Sequence, residues 1–166
     1  SGTCVDSPRT ETGSASQPGP SQQQQSVDRQ VRSASRSDRL SDGTRLDYSS
    51  GKEQGFKASA DGTQSAELTN QTCQTCSDGT QRTSATFDPS QLGQDESGGH
   101  THYGNSIEQL PGPEDGVMAR RTGKTAYEIS DRGAFGIEKT EVGYRVRIID
   151  GARLTPSERR EIMKTI

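Results

Sequence analysis

The sequence predicts a mostly intrinsically disordered chain with a small C-terminal β-hairpin or meander followed by a helix, a ββα-like element. The first observation is that Leu, Ile, Val and Phe make up only 22 of 166 residues, below the roughly 20 % at which a packed core becomes the expectation. The second is that Trp is absent, with 4 Tyr and 3 Phe as the only aromatic residues. So little apolar surface is not expected to offset the ordering of the backbone, which costs about 1–2 kcal/mol per residue.

The third observation is a change of composition near residue 115. Residues 116–166 hold 11 of the 22 apolar residues in less than a third of the chain, and their formal charge is +4, against −7 for residues 1–115. The sequence therefore predicts a disordered acidic region rich in Ser, Thr, Gln and Gly at 1–115, and a short basic element at 116–166.

The first region gives only weak structural signals. A transient helix is expected near residues 27–36, but Val27, Val31 and Leu40 are too sparse to predict an amphipathic face. Asp-Gly-Thr occurs three times, and Asp-Gly favours turns. The segments between these tripeptides have too few apolar residues to predict stacked repeats.

The second region has the alternation that is typical of strands. Strands are predicted near residues 125–129, 134–138 and 144–149, separated by turn residues. In the third strand, apolar side chains alternate with Arg145 and Arg147, which indicates one buried face.

A helix is predicted at residues 155–166. Its start is marked by a capping box, in which Thr155 and Glu158 would each accept a hydrogen bond from the other's amide. Pro156 occupies the first helical position, where its missing N–H costs nothing. No stop signal precedes residue 166, so this element is expected to be incomplete.

Two motifs would carry chemistry if their partners were present. Cys73 and Cys76 have C-x-x-C spacing, but a zinc site needs two more ligands. The only histidines, His100 and His102, have H-x-H spacing and lie in the glycine-rich stretch SGGHTHYGN, whose composition is typical of a flexible segment. We therefore expect unligated thiols, no metal and no cofactor.

A phosphate-binding loop is not predicted, although Gly123-Lys124-Thr125 matches the end of its motif. The first glycine of that motif would stand at position 118, which is Met118, and no apolar strand precedes it. Catalytic groups also need a rigid scaffold, which this composition does not predict. The sequence thus predicts that the chain is not an enzyme.

The predicted function is that of a disordered interaction and tethering region in a larger multifunctional intracellular protein of the cytoplasm or nucleus. That protein would be a cellular adaptor or a viral assembly or polymerase cofactor. Flexible linkage would set the effective concentration of bound proteins. Ser35 and Ser41 follow arginines and are candidate phosphorylation sites. The predicted partner-binding residues are Tyr144, Val146, Ile148, Ile162, Met163 and Ile166.

Two alternatives remain open at the level of sequence. One is a basic tail that binds nucleic acid, with Arg145, Arg147, Arg159 and Arg160 contacting phosphates. The other is a structural polypeptide that lies extended on a partner surface. Other proteins are the expected partners, and the lack of any run of 18 apolar residues predicts no membrane span.

Overall fold

One six-stranded sheet organises the described part of the chain. The computed structural model describes residues 20–49, 51–75, 81–103, 110–112 and 115–164, and within them it leaves the side chains of 70–75, 81–86 and 164 undescribed. The elements are α1 (Gln22–Ser37), β1 (Gly55–Ser59), β2 (Gly62–Ser65), β3 (Thr69–Thr75), β4 (Gln81–Thr86), β5 (Ser97–Thr101), α2 (Asp115–Thr122), β6 (Ala126–Ser130), β7 (Gly133–Thr140), β8 (Gly143–Asp150) and α3 (Pro156–Lys164).

The sheet has the strand order β2-β1-β5-β6-β7-β8, and β3 pairs with β4 in a separate hairpin. Within the sheet β5 and β6 are parallel, whereas the other neighbouring strands are antiparallel. Parallel strands need a crossover connection, and α2 lies in the segment that joins β5 to β6. Strands from both sides of residue 115 share this sheet, so the predicted division at that position falls inside one structure.

The prediction of a mostly intrinsically disordered, low-complexity chain is wrong for the described residues. All three phenylalanines, Phe56, Phe87 and Phe135, are 0 % exposed, so all of these rings lie in the interior. Small residues fill the space between them. A Cβ atom on Gly98 would lie 2.6 Å from the Phe87 ring, and one on Gly99 would lie 2.3 Å from the Phe56 ring. These glycines make room for aromatic rings on both faces of β5. From composition alone, the same glycines indicate a flexible segment.

Helix α1 also forms where the sequence indicated no apolar face. Val27, Val31 and Ala34 are buried at i, i+4 and i+7, which is the spacing of one helical stripe. This stripe belongs to the same core cluster as Phe56 and Ile149 of the sheet. Counting only large apolar residues missed the contribution of Ala34.

The C-terminal elements begin within one residue of the predicted ones. β6, β7, β8 and α3 start at residues 126, 133, 143 and 156. The capping box is present, since the Glu158 amide donates to Thr155 Oγ1 at 3.1 Å and the Thr155 amide donates to Glu158 Oε1 at 2.9 Å. The prediction of an isolated ββα unit is wrong, because these strands are half of a larger sheet. No helix in the described ranges is long and apolar enough to cross a membrane.

Candidate metal centre

Two histidines lie at the carboxyl end of β5, at the centre of the sheet. His100 is on the strand and His102 follows it, and residues two apart on an extended chain point to the same side. The His102 amide donates to the Ile129 carbonyl at 3.0 Å, which continues the pairing with β6. On the other side, the Thr101 amide donates to the Gln54 carbonyl at 2.9 Å, which places Glu53 beside the histidines.

Asp115 reaches the same place from the start of α2. Its amide donates to the Gly112 carbonyl at 3.1 Å, and its Oδ2 accepts from the Gly112 amide at 2.6 Å. The following residue, Gly116, lies against the Tyr144 ring so closely that a Cβ there would be 2.8 Å from it. This close approach holds the beginning of α2 on the sheet.

The three side chains form a nearly equilateral triangle of ligand-type atoms. His100 Nε2 and His102 Nε2 are 3.0 Å apart, and Asp115 Oδ1 lies 3.1 Å from the first and 3.0 Å from the second. His100, His102 and Asp115 are 5 %, 6 % and 1 % exposed. Both histidines of the protein are therefore buried at one point.

Two further carboxylates surround this triangle. Glu128 of β6 stands opposite His100 in the strand register, is fully buried, and has Oε1 3.2 Å from His102 Nδ1. Glu53 is half-buried, and one of its oxygens lies within 4.8 Å of a ring nitrogen of each histidine. The centre thus combines two imidazoles with three carboxylates.

The electrostatics of the centre favour positive charge. Burial lowers the pKa of His102, but the carboxylates of Asp115, Glu128 and Glu53 outweigh it and raise that pKa well above its ordinary value. Burial raises the pKa of Asp115, and the two histidines outweigh it and lower that pKa. Because the field of the carboxylates stabilises a proton here, it would also stabilise a metal cation.

Searches against protein-family models, curated proteins and solved structures all gave no match for this chain. The function of the chain is therefore inferred from the geometry of the centre.

The sequence predicted no metal at His100 and His102, which were weighed only as partners of the two cysteines. Cys76 lies outside the described residues, and the Cys73 side chain is not described although its backbone is in β3. The partners that the structure does bring together with His100 and His102 are carboxylates distant in sequence. The available signal was the H-x-H spacing itself, which places both imidazoles on one side of a strand.

The six predicted partner-binding residues do not form one surface. Tyr144, Val146 and Ile162 are buried in a core cluster, and Ile148 packs half-buried against it. Met163 is exposed, and Ile166 lies outside the described residues.

The two predicted phosphorylation sites differ in access. Ser35 is 0 % exposed, and its hydroxyl donates to Asp150 Oδ2 at 2.8 Å. Ser41 is exposed, and its hydroxyl donates to the Thr63 carbonyl at 2.8 Å.

Three of the four arginines predicted to contact phosphates bind to other groups of this chain. Arg145 donates to Glu138, and Arg147 bridges Glu138 and Asp28. Arg159 is exposed and donates to the Gly151 carbonyl at 2.7 Å, while Arg160 is exposed.

Proposed function

We propose that the chain is a metal-dependent hydrolase in which His100, His102 and Asp115 bind one divalent ion of the zinc type. The observation that carries this proposal is the triangle of donor atoms, with edges of 3.0, 3.0 and 3.1 Å. Donors bound to one ion at about 2.0–2.2 Å, at angles of roughly 90–109°, would lie about 2.8–3.6 Å apart. The three atoms therefore already have the separations that a shared ion requires.

Hydrogen bonds alone satisfy this triangle less well. Its edges meet at about 60°, so an N–H that points along one edge points away from the other, and an N–H shared between two edges makes two bent, weaker hydrogen bonds. If both Nε2 atoms donated to Asp115, two N–H groups would face each other across 3.0 Å. A cation that binds all three atoms removes this conflict.

A site with only His100, His102 and Asp115 as ligands would be of the catalytic type. Structural zinc sites have four protein ligands, whereas catalytic sites have three and an open position for water or substrate. Glu53 lies on the β1 side of the centre and is half-buried. Its carboxylate is close enough to the histidine nitrogens to contact a water at that open position.

These roles correspond to hydrolysis of an acyl bond. A zinc-type ion lowers the pKa of a coordinated water to about 7 and polarises the substrate carbonyl group. With such an ion bound, Glu53 would take a proton from the water as the water oxygen forms a bond to the carbonyl carbon. It would give this proton to the leaving group as the bond between that group and the carbonyl carbon breaks. His100, His102 and Asp115 hold their positions through the strand end and the helix start.

The same donor set, two histidines and one carboxylate, also occurs in non-haem iron(II) oxygenases. That chemistry gives no task to Glu53, whereas hydrolysis needs a base at its position. We therefore favour the hydrolase, and a protein that is active only with iron(II) and dioxygen would contradict it.

Metal binding is tested by titrating the chelator-treated full chain with Zn²⁺ at neutral pH in a calorimeter. One ion should bind per chain, and a double His100→Ala, His102→Ala variant should lose this binding. A double Cys73→Ser, Cys76→Ser variant is the control and should bind as the wild type does. Loss of zinc in the cysteine variant with retention in the histidine variant would overturn the proposed site, as would the absence of binding.

Hydrolysis is tested with 4-nitrophenyl acetate as the probe. The zinc-loaded chain should hydrolyse it faster than the chelated chain. Glu53→Gln should lower this rate about 10²- to 10⁴-fold while keeping one zinc per chain, whereas Glu67→Gln, at an exposed position, should have no effect. A rate independent of zinc, or unchanged in Glu53→Gln, would refute the hydrolase.

This proposal departs from the predicted lack of enzymatic activity. That prediction depended on the absence of a rigid scaffold, and the sheet supplies one for the described residues. The predicted tethering function, its nucleic-acid and structural alternatives, and the intracellular location stay predictions.

A further inference from the structure

We infer that Glu128 is a positioning residue, which holds the His102 ring with Nδ1 protonated and Nε2 directed at the metal; this inference rests on the metal site proposed above. A neutral imidazole carries one proton, on either nitrogen. A carboxylate beside one nitrogen fixes the proton there and leaves the lone pair on the other nitrogen.

The two ring nitrogens of His102 contact different groups. Nδ1 lies 3.2 Å from Glu128 Oε1. Nε2 lies 3.0 Å from both His100 Nε2 and Asp115 Oδ1. Both nitrogens thus face a carboxylate, Glu128 at Nδ1 and Asp115 at Nε2. Once a cation takes the Nε2 lone pair, the remaining proton of the neutral ring is on Nδ1, beside Glu128.

A direct ligand role for Glu128 has to be weighed, because His102, Asp115 and Glu128 also have ligand-type atoms within 4.8 Å of one another. The two nitrogens of an imidazole ring point in divergent directions. Glu128 contacts Nδ1, whereas Asp115 contacts Nε2. An ion between His102 Nδ1 and Glu128 would lose His100, so the triangle on the Nε2 side offers the better donor set.

The location of Glu128 also indicates a role beyond packing. It lies in the middle of β6, where all five residues are buried, and its own exposure is 0 %. Burying a carboxylate is unfavourable unless it is paired, so packing alone would place an apolar residue here. The matching atom of the other histidine, His100 Nδ1, is buried and has no hydrogen-bond partner among the described residues. Of the two histidines, His102 therefore has a carboxylate oxygen 3.2 Å from its Nδ1, an ion-pair contact outside hydrogen-bond geometry.

The first test needs no variant. A long-range ¹H–¹⁵N correlation spectrum of the zinc-loaded full chain shows which ring nitrogens carry protons, and only two histidines contribute. We expect His102 to be protonated at Nδ1 and bound to zinc through Nε2. Zinc on Nδ1 with a protonated Nε2 would overturn the inference.

The second test compares two glutamine variants. Glu128→Gln should bind Zn²⁺ about 10- to 100-fold more weakly, with one ion still bound and the His102 Nδ1–H resonance shifted upfield. Glu138→Gln is the matched control on the neighbouring strand, where the carboxylate contacts Arg145 and Arg147, and its zinc affinity should stay within twofold of the wild type.

An unchanged affinity in Glu128→Gln would refute the positioning role while the metal site stands. If the wild type binds no zinc, the proposed function fails instead. Should Glu128→Gln not fold, the spectrum of the wild type decides alone.

Discussion

Gly99→Ala is the substitution that most sharply separates a folded β5 from a flexible glycine-rich segment. A Cβ at this position would lie 2.3, 2.6 and 2.9 Å from three atoms of the Phe56 ring. Ordinary carbon contacts are about 3.5–4.0 Å, so the ring would have to move by more than about 1 Å. Phe56 is 0 % exposed inside a core cluster and has little space to do so.

The expected loss of stability follows from two opposing effects. Overpacking costs about 1–3 kcal/mol, and the lower entropy of the unfolded chain returns about 0.4–1 kcal/mol for Gly→Ala. We expect a net loss of about 1–2 kcal/mol in the free energy of unfolding, measured by urea denaturation with far-UV circular dichroism.

The control is Gly93→Ala, where the nearest atom is the end of the Glu96 side chain at 3.1 Å. This variant should stay within about 0.5 kcal/mol of the wild type. A second variant, Phe56→Leu, should recover part of the loss when combined with Gly99→Ala, because the two residues share one contact. Equal stability of Gly99→Ala and the wild type would refute the packing argument for β5.

Three further outcomes are expected. Gly116→Ala should weaken Zn²⁺ binding, because the new Cβ would meet the Tyr144 ring at 2.8 Å and displace the start of α2 with Asp115; an unchanged affinity in calorimetry would contradict this. Hydrogen bonds from Arg132, and more weakly from Thr155, lower the pKa of Glu158 from its ordinary 4.5, so this carboxylate stabilises the fold above that pH and loses its effect as the pH falls through the lowered pKa. Glu158→Gln should accordingly lower the free energy of unfolding at pH 7 by less than about 1 kcal/mol, and by progressively less in urea titrations as the pH falls below 4.5, whereas a deficit independent of pH would oppose the assignment. Zinc at about 100 times its dissociation constant should stabilise the wild type by about 2.7 kcal/mol, and a double alanine variant of the two histidines should show no such gain in thermal unfolding.

The sequence predicted the C-terminal strands and helix because their signals are local. The alternation of Tyr144 and Val146 with arginines marks a strand, and the reciprocal caps of Thr155 and Glu158 mark a helix start. Both signals depend on side chains a few residues apart. They carry no information on what the strands pair with, so the parallel partner of β6 was missed.

The first half of the sheet was missed because its core uses small residues. Ala34 completes the stripe of α1, and Gly98 and Gly99 admit the rings of Phe87 and Phe56. A count of Leu, Ile, Val and Phe leaves out all three of these residues. Their role becomes visible only when the aromatic rings that they accommodate are in place.

The sequence indicated only the two histidines of the candidate metal centre. The H-x-H pair stands out, but Glu53 comes from the segment just before β1 and Asp115 from the start of α2, at no spacing that marks them as ligands. Only the sheet order, with β5 between β1 and β6, brings these carboxylates to the histidines. A search for cysteine partners at fixed spacing could not find them.

X-ray absorption spectroscopy of the zinc-loaded full chain tests the central claim most directly, because it reports the atoms bound to the metal. The account predicts two imidazole nitrogens together with oxygen donors at about 2.0–2.2 Å. Sulfur at about 2.3 Å, from Cys73 or Cys76, or fewer than two imidazoles would contradict the metal centre proposed for this fold.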